Sequence, residues 1–301
     1  MDRPGPRKAH RQPIPYLGGA ALLLGLVAAT ALGRPSLFAV LVLLALVTAL
    51  GVFDDLWHAA VTTKLAIEGS VAVAAVMLGF SWHITDSWIL NAGLSVLWLV
   101  GLTNSFNLLD NMDGLTSTVA VVALVGVAFI RPGTAELALP LAGCLLAFLL
   151  INLPPARMFL GDAGSLTVGF AMGLVTIGAA NSAHGLHSLL LLVFPVALAL
   201  FDTSLVIVSR LREGLPIQLG GRDHFSHRLQ LLGWTERQVL AAAFVATAAG
   251  VLAAFLAGQY PLAVAWLGVP IAVLFLLGWV RLLAVDPYRR AAGARPEVVH
   301  G

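Results

Sequence analysis

Residues 88–130 read WILNAGLSVLWLVGLTNSFNLLDNMDGLTSTVAVVALVGVAFI. Two apolar runs, near 88–106 and 115–130, flank a short joint that carries Asn104, Asn107, Asp110 and Asp113. About 20 apolar residues cross the hydrocarbon of a bilayer. Only elements that satisfy their own backbone can do so, so the stretch predicts two membrane helices with acidic residues at their junction. The pattern recurs. Further runs fall near 17–32, 37–53, 64–80, 136–153, 165–181, 187–209, 237–257 and 261–283, giving ten candidate helices in all. The shorter ones must borrow flanking residues or change tilt to cross.

Composition agrees. The chain is 59% hydrophobic and 11% charged, with a mean hydropathy of +0.93. A soluble domain of 301 residues has no core large enough to hide that much apolar surface. The expected fold class is an all-α, polytopic integral membrane helical bundle of about ten transmembrane helices with no soluble domain. Residues 1–285 form a single transmembrane domain on this reading, and 286–301 a disordered cytoplasmic tail. The first run alone could pass for a signal peptide, but nine further runs favour a span. A net charge of +2 with basic residues scattered among loops argues against nucleic-acid binding. Cys144 is the only cysteine, which excludes an intrachain disulfide and argues against redox chemistry.

Counting lysine and arginine by alternate loops gives the orientation. One side takes Arg3, Arg7, Lys8, Arg11, Lys64, Arg157, Arg210, Arg212, Arg222, Arg228, Arg237, Arg281, Arg289, Arg290 and Arg295; the other takes only Arg34 and Arg131. The positive-inside rule makes the first side cytoplasmic, with both termini inside. Asp54 and Asp55, Asp110 and Asp113, Asp162, and His224 and His227 then all fall in cytoplasmic loops, near 54–63, 104–114, 154–165 and 210–236. Ionisable groups near a bilayer are costly, and their gathering at one face points to a site for a charged substrate.

Each cluster has its own chemistry. Asp110 and Asp113 are three apart and would share a helical face with Asn104 and Asn107, a stripe suited to hydroxyls and ring nitrogens. Asp54 and Asp55 are adjacent and repel, which suits one of them as a proton acceptor where the helix ends. Asp162 lies between Gly161 and Gly164, with Ser165 opening the next helix, and is a natural Mg²⁺ ligand beside phosphate oxygens. His224, His227 and Arg228 occupy a basic loop better suited to phosphate than to zinc. Within spans, Glu68 either pairs with Lys64 one turn away or serves function; Asp202 has no local partner and should face other polar groups. Together these pieces suit phosphoryl transfer to a lipid-borne acceptor.

PIPYLGG (13–19), GVFDDLW (51–57), NSFNLLDNMDGL (104–115), FLGDAGSL (159–166) and DHFSHRL (223–229), in that order, resemble the motifs of the polyprenyl-phosphate N-acetylhexosamine-1-phosphate transferases, glycosyltransferase family 4. The resemblance runs from about Arg3 to His227. It implies transfer of an N-acetylhexosamine-1-phosphate from a UDP-sugar to undecaprenyl or another polyprenyl phosphate, with release of UMP and a need for Mg²⁺, Mn²⁺ being a substitute. It implies further that Asp162 is the principal metal ligand and that Asp54 and Asp55 are the catalytic pair beside the acceptor phosphate. Asn104, Asn107, Asp110 and Asp113 would line the nucleotide-sugar site. His224, His227 and Arg228 would contact the donor phosphates, and Lys8, near His10, matches a functional lysine. A homodimer is left open.

Two departures accompany it. Relatives carry a helix ahead of the RKAHRQPIP segment, so either a late start or a missing span is expected. The family's histidine loop often reads His-x-His-His, and here Ser226 replaces the middle imidazole. The loop resembles the N-acetylglucosamine branch, which initiates a lipid-linked envelope glycan, more than the phospho-N-acetylmuramoyl-pentapeptide branch. A cation-coupled transporter would instead place its carboxylates at helix centres in two matching halves, a pattern that only Glu68 and Asp202 favour. A structural scaffold leaves the clustering unexplained.

Overall fold

The structure, a computed structural model, describes residues 14–30, 37–218, 220–260 and 269–288. Among these residues it is all-helical, with no β-strand. The helices are α1 (Gly18–Thr30), α2 (Phe38–Trp57), α3 (Val61–Met77), α4 (Trp88–Leu109), α5 (Leu115–Ile130), α6 (Ala135–Asn152), α7 (Gly161–Ala180), α8 (Gly185–Val193), α9 (Ala197–Arg212), α10 (Phe225–Leu231), α11 (Glu236–Gln259) and α12 (Val269–Leu283). Six stretches are long and apolar enough to cross a membrane: α2, α4, Pro132–Asn152, α7, Gly185–Arg212 and α11. Shorter apolar helices are α1, α5 and α12. The molecule is a polytopic helical membrane protein.

Each of the ten apolar runs holds helix, with two differences from the sequence reading. The run expected over 187–209 is two helices, α8 and α9, joined by a 3₁₀ turn at Phe194–Val196. Pro195 has no N–H to give to a continuous ladder, and its ring clashes with the preceding turn. The basic loop 210–236 also contains a helix, α10, of seven residues. That is too short to show a period of its own.

α7 organises the bundle. All of its residues except Asp162 and Gly178 are buried. Its small side chains let neighbouring backbones come close, which is how helices associate where lipid offers no hydrophobic driving force. A Cβ on Gly51 of α2 would lie 2.4 Å from the Ala163 Cα, and one on Gly169 would lie 2.6 Å from the Leu102 carbonyl of α4. Thr48 and Thr167 share a 2.7 Å hydrogen bond across α2 and α7. The start of α1 is fixed to the segment that leads into α7. Gly18 and Gly19 donate to the Phe159 and Leu160 carbonyls, and Phe159 donates to Pro15. The ends of α1, α2, α4, α6 and α7 that carry the polar motifs therefore meet at one end of the bundle.

Candidate active site

A cleft of about 430 Å³ opens at that end, lined in part by Asp54, Asp55, Asp110, Asp113 and Asp162. Three separate clusters in the sequence meet in it. α2 runs two residues past Asp55 and stops at Trp57, where His58 turns into the left-handed region, φ 54°. The two carboxylates then diverge. Asp54 accepts from Ala59 N at 2.7 Å and from Lys64 Nζ at 2.5 Å. Asp55 instead reaches α7, accepting from Asp162 N at 2.9 Å and Ala163 N at 3.1 Å. Those are orphan donors of a helix N-terminus, and a carboxylate is their best acceptor.

This cap explains a difference from the sequence reading. α7 begins at Gly161 rather than at Ser165, so Asp162 sits in its first turn. Gly161 has φ +71°, and a Cβ there would come within 2.8 Å of Asp55 Oδ2, so only glycine fits the approach. Asp162 receives Lys64 Nζ at 3.0 Å on one oxygen and Asn107 Nδ2 at 3.0 Å on the other. Asn107 also reaches Ser165 Oγ at 3.0 Å.

The expected shared helical face of Asp110 and Asp113 does not form. α4 ends at Leu109, Asp110 leaves the helix at ψ 49°, and Asp113 lies in the turn beyond. Asp113 is held from another direction, accepting from Ala156 N at 2.8 Å. Both still line the cleft. Burial, reinforced by the charges of Asp162, Asp55 and Asp113, pushes the Asp110 carboxyl up to about 7. Asn104 lies deeper and donates to Glu68 Oε2 at 2.5 Å and to Val100 O at 2.9 Å. Glu68, fully buried, thus pairs with Asn104, and Lys64 goes to the two aspartates instead.

The histidine loop packs beside this cleft: Ser226 Oγ hydrogen-bonds Asn111 Oδ1, and Gln230 approaches Met112 Sδ at 3.5 Å. Asp202, buried in α9, accepts from Phe225 N at 2.7 Å and pairs with His224 Nδ1 at 2.8 Å. Its missing partner is therefore the histidine motif. Arg210 grips Asp223 through Nε at 2.8 Å and a terminal nitrogen at 3.0 Å. Burial alone would raise the Asp223 carboxyl, but Arg210 outweighs it and holds the group below its usual value. Burial also pushes the Tyr288 hydroxyl up to about 12, helped by its 2.9 Å hydrogen bond to Asp223. That bond ties down the beginning of the tail expected to be disordered from Asp286; residues 289–301 lie outside the described residues. His227 is driven down to about 4, first by burial and then by the nearby His224 and Arg222.

Arg228 is not placed as expected for a phosphate ligand. It is 1% exposed. Its Nε donates to Asp223 O at 2.8 Å, one terminal nitrogen to Ser209 Oγ at 2.6 Å, and the other to Leu282 O at 2.9 Å and Val285 O. The two terminal nitrogens fasten the loop to α9 and to the end of α12, while Nε braces the loop internally. Lys8 and His10 lie outside the described residues.

Sequence reasoning also missed residues. Lys64 was read only as a cytoplasmic charge and a partner for Glu68, yet its ammonium stands between Asp54 and Asp162. The available signal was a lysine opening an apolar run just after the aspartate pair. Asn152, at the end of α6, accepts from Gly114 N at 3.0 Å and donates to Met158 O at 2.9 Å, tying the acidic joint to the segment before α7.

The donor set suits a hard divalent cation. Among the described residues no three His, Cys, Asp or Glu side chains form a complete cage. Mg²⁺ does not need one, since it takes one or two carboxylates and completes its shell with phosphate oxygens and water. Lys64 shows that a cation is accommodated between Asp54 and Asp162.

Helices long and apolar enough to cross a membrane that gather carboxylates at one end define a membrane-embedded protein with an acidic cleft. Similarity to known proteins says which kind. The profile described as glycosyl transferase family 4 matches residues 37–180. A Streptomyces coelicolor protein described as a glycosyltransferase is 34% identical over 97% of this chain and 74% of its own length. A Bacillus subtilis protein described as an undecaprenyl-phosphate N-acetylglucosaminyl 1-phosphate transferase is 29% identical over 79% of this chain and 71% of its own. The Mycobacterium leprae decaprenyl-phosphate N-acetylglucosaminephosphotransferase is 28% identical over 79% and 71%. The chain belongs to glycosyl transferase family 4, and is an enzyme of the glycosyl-1-phosphate transferase class.

Proposed function

We propose that this protein transfers N-acetylglucosamine-1-phosphate, or a closely related N-acetylhexosamine-1-phosphate, from a UDP-sugar to undecaprenyl or another polyprenyl phosphate. UMP leaves, and the lipid-linked sugar begins an envelope glycan. The reading includes ten crossings of the cytoplasmic membrane, both termini inside and the cleft facing the cytoplasm. The observation that carries it is the meeting of Asp54, Asp55, Asp110, Asp113 and Asp162 at one cleft. The names of the Bacillus subtilis and Mycobacterium leprae relatives, which mention N-acetylglucosamine-1-phosphate transfer and undecaprenyl or decaprenyl phosphate, support it.

Mg²⁺, or Mn²⁺ in its place, would be held by Asp162 and would neutralise charge on the donor's pyrophosphate. The chain's own groups do the rest. Lys64 keeps Asp54 and Asp162 together against their mutual repulsion. Asn107 orients Asp162 from the other side. In the pair, Asp54 takes the proton of an attacking lipid phosphate oxygen, while Asp55 holds the start of α7 in place. Asp110 and Asp113 face the sugar and nucleotide. An apolar bundle around the cleft keeps the lipid acceptor at its own depth.

The test uses purified protein with undecaprenyl phosphate and a panel of UDP-amino sugars, with UMP as the readout. UDP-N-acetylglucosamine should give Mg²⁺-dependent UMP release, and Asp162→Asn should abolish it. Near-normal turnover by that variant, or no UMP from any donor, would overturn the reading.

A further inference from the structure

α9 carries one carboxylate in an otherwise apolar stretch, and the reaction outlined above gives it no part. Asp202 is 0% exposed. One oxygen accepts from Phe225 N at 2.7 Å, the other meets His224 Nδ1 at 2.8 Å. The first contact caps α10. A cap needs only an acceptor, and serine or asparagine serves there without the cost of burying a charge. Nor is Asp202 needed to fix the loop. Arg210 already clamps Asp223, Arg228 binds the Asp223 carbonyl and Ser209, and Tyr288 closes on Asp223 from the tail.

What a carboxylate does that a neutral cap does not is govern an imidazole. An ionised carboxylate only accepts, so the proton of His224 is held on Nδ1. Nε2 is then the nitrogen that exchanges hydrogen bonds or a proton with another partner. The neighbouring imidazole of His227, with ring centres 5.9 Å apart, has no such carboxylate among its hydrogen bonds with the described residues; its Nδ1 lies 3.3 Å from Ser226 Oγ. The two histidines are thus differently equipped.

We infer that Asp202 is a positioning residue that fixes the tautomer and orientation of His224, so that His224 presents Nε2 to the phosphates of the donor. The role rests on the proposed transferase reading for its substrate, but not for its geometry.

Asp202→Asn separates cap from charge. Its carbonyl still accepts from Phe225 N, while its amide donates toward His224 Nδ1 and moves the ring proton to Nε2. With ¹⁵N-histidine labelling, and His224→Gln to assign the signal, the protonated nitrogen of His224 should change from Nδ1 to Nε2 in Asp202→Asn. An unchanged tautomer would overturn the inference, whether or not a donor sugar is known. For turnover, Asp202→Asn and His224→Gln should each lower kcat by on the order of 100-fold. The double variant should be no slower than His224→Gln alone. Losses that multiply would show Asp202 acting apart from His224 and would equally sink the inference. If the wild type releases no UMP while the tautomer still switches, the transferase reading fails and the Asp202–His224 coupling survives.

Discussion

Lys64 is the residue on which the cleft's charge balance turns. Two carboxylates share its ammonium, at 2.5 and 3.0 Å. Lys64→Met should leave Asp54 and Asp162 facing each other uncompensated and lower turnover about 100-fold or more, measured as UMP release at saturating Mg²⁺. Activity within a few-fold of wild type would remove Lys64 from the site. His227 gives a second prediction at this scale. Its pKa, about 4, is below the ordinary 6.5, so the folded state binds fewer protons there than the unfolded chain. That contribution to stability is present above pH 6.5 and is lost as pH falls toward 4. The thermal midpoint of His227→Gln in detergent should fall less steeply than that of wild type over this window; parallel curves would contradict it. The aspartates were legible in the sequence because carboxylates stand out against apolar runs. Lys64 and Asn152 were not, because their meaning depends on which helix ends meet. Arg228 misled for a related reason: a guanidinium that serves backbone carbonyls looks the same in sequence as one awaiting a phosphate.

At the scale of elements, the contact between α2 and α7 decides whether the cleft exists. Replacing Gly51 by leucine gains about 1 kcal/mol of helix propensity. The new Cβ would however lie 2.4 Å from the Ala163 Cα, so α2 must move off α7. Overpacking of this kind typically costs about 1–3 kcal/mol or more, so the clash should win. Gly51→Leu should lower the thermal midpoint and also abolish UMP release, since Asp55 would lose its hold on Asp162 N and Ala163 N. A midpoint equal to wild type would mean that the helices pack elsewhere. Helix positions were readable from the apolar runs, but some boundaries were not. α4 stops before Asp110, and α7 starts early because its cap comes from Asp55, 107 positions away in sequence. α10 escaped notice because seven residues in a basic loop carry no period.

At the scale of the whole molecule, the alternation of loops makes a sided prediction. With Cys144 replaced by serine, cysteines placed singly at Glu213 and Gly133, both exposed, should react with an impermeant maleimide from opposite faces, Glu213 from the cytoplasm. Labelling of both from one face would break the ten-crossing scheme. The fold class was legible because lipid imposes so strong a compositional demand; the kink at Pro195 shows where it was not, since an apolar run does not reveal a broken helix. The enclosure of α7 has a consequence for biogenesis. Its glycines, serine and threonines suit helical neighbours better than acyl chains, and nearly all of its residues are buried. α1 through α6 precede it in synthesis, so a nascent chain already carries α2 and α4, against which α7 packs, when α7 leaves the translocon. The segment bearing Asp162 is accordingly delivered late, into a socket that its predecessors have prepared.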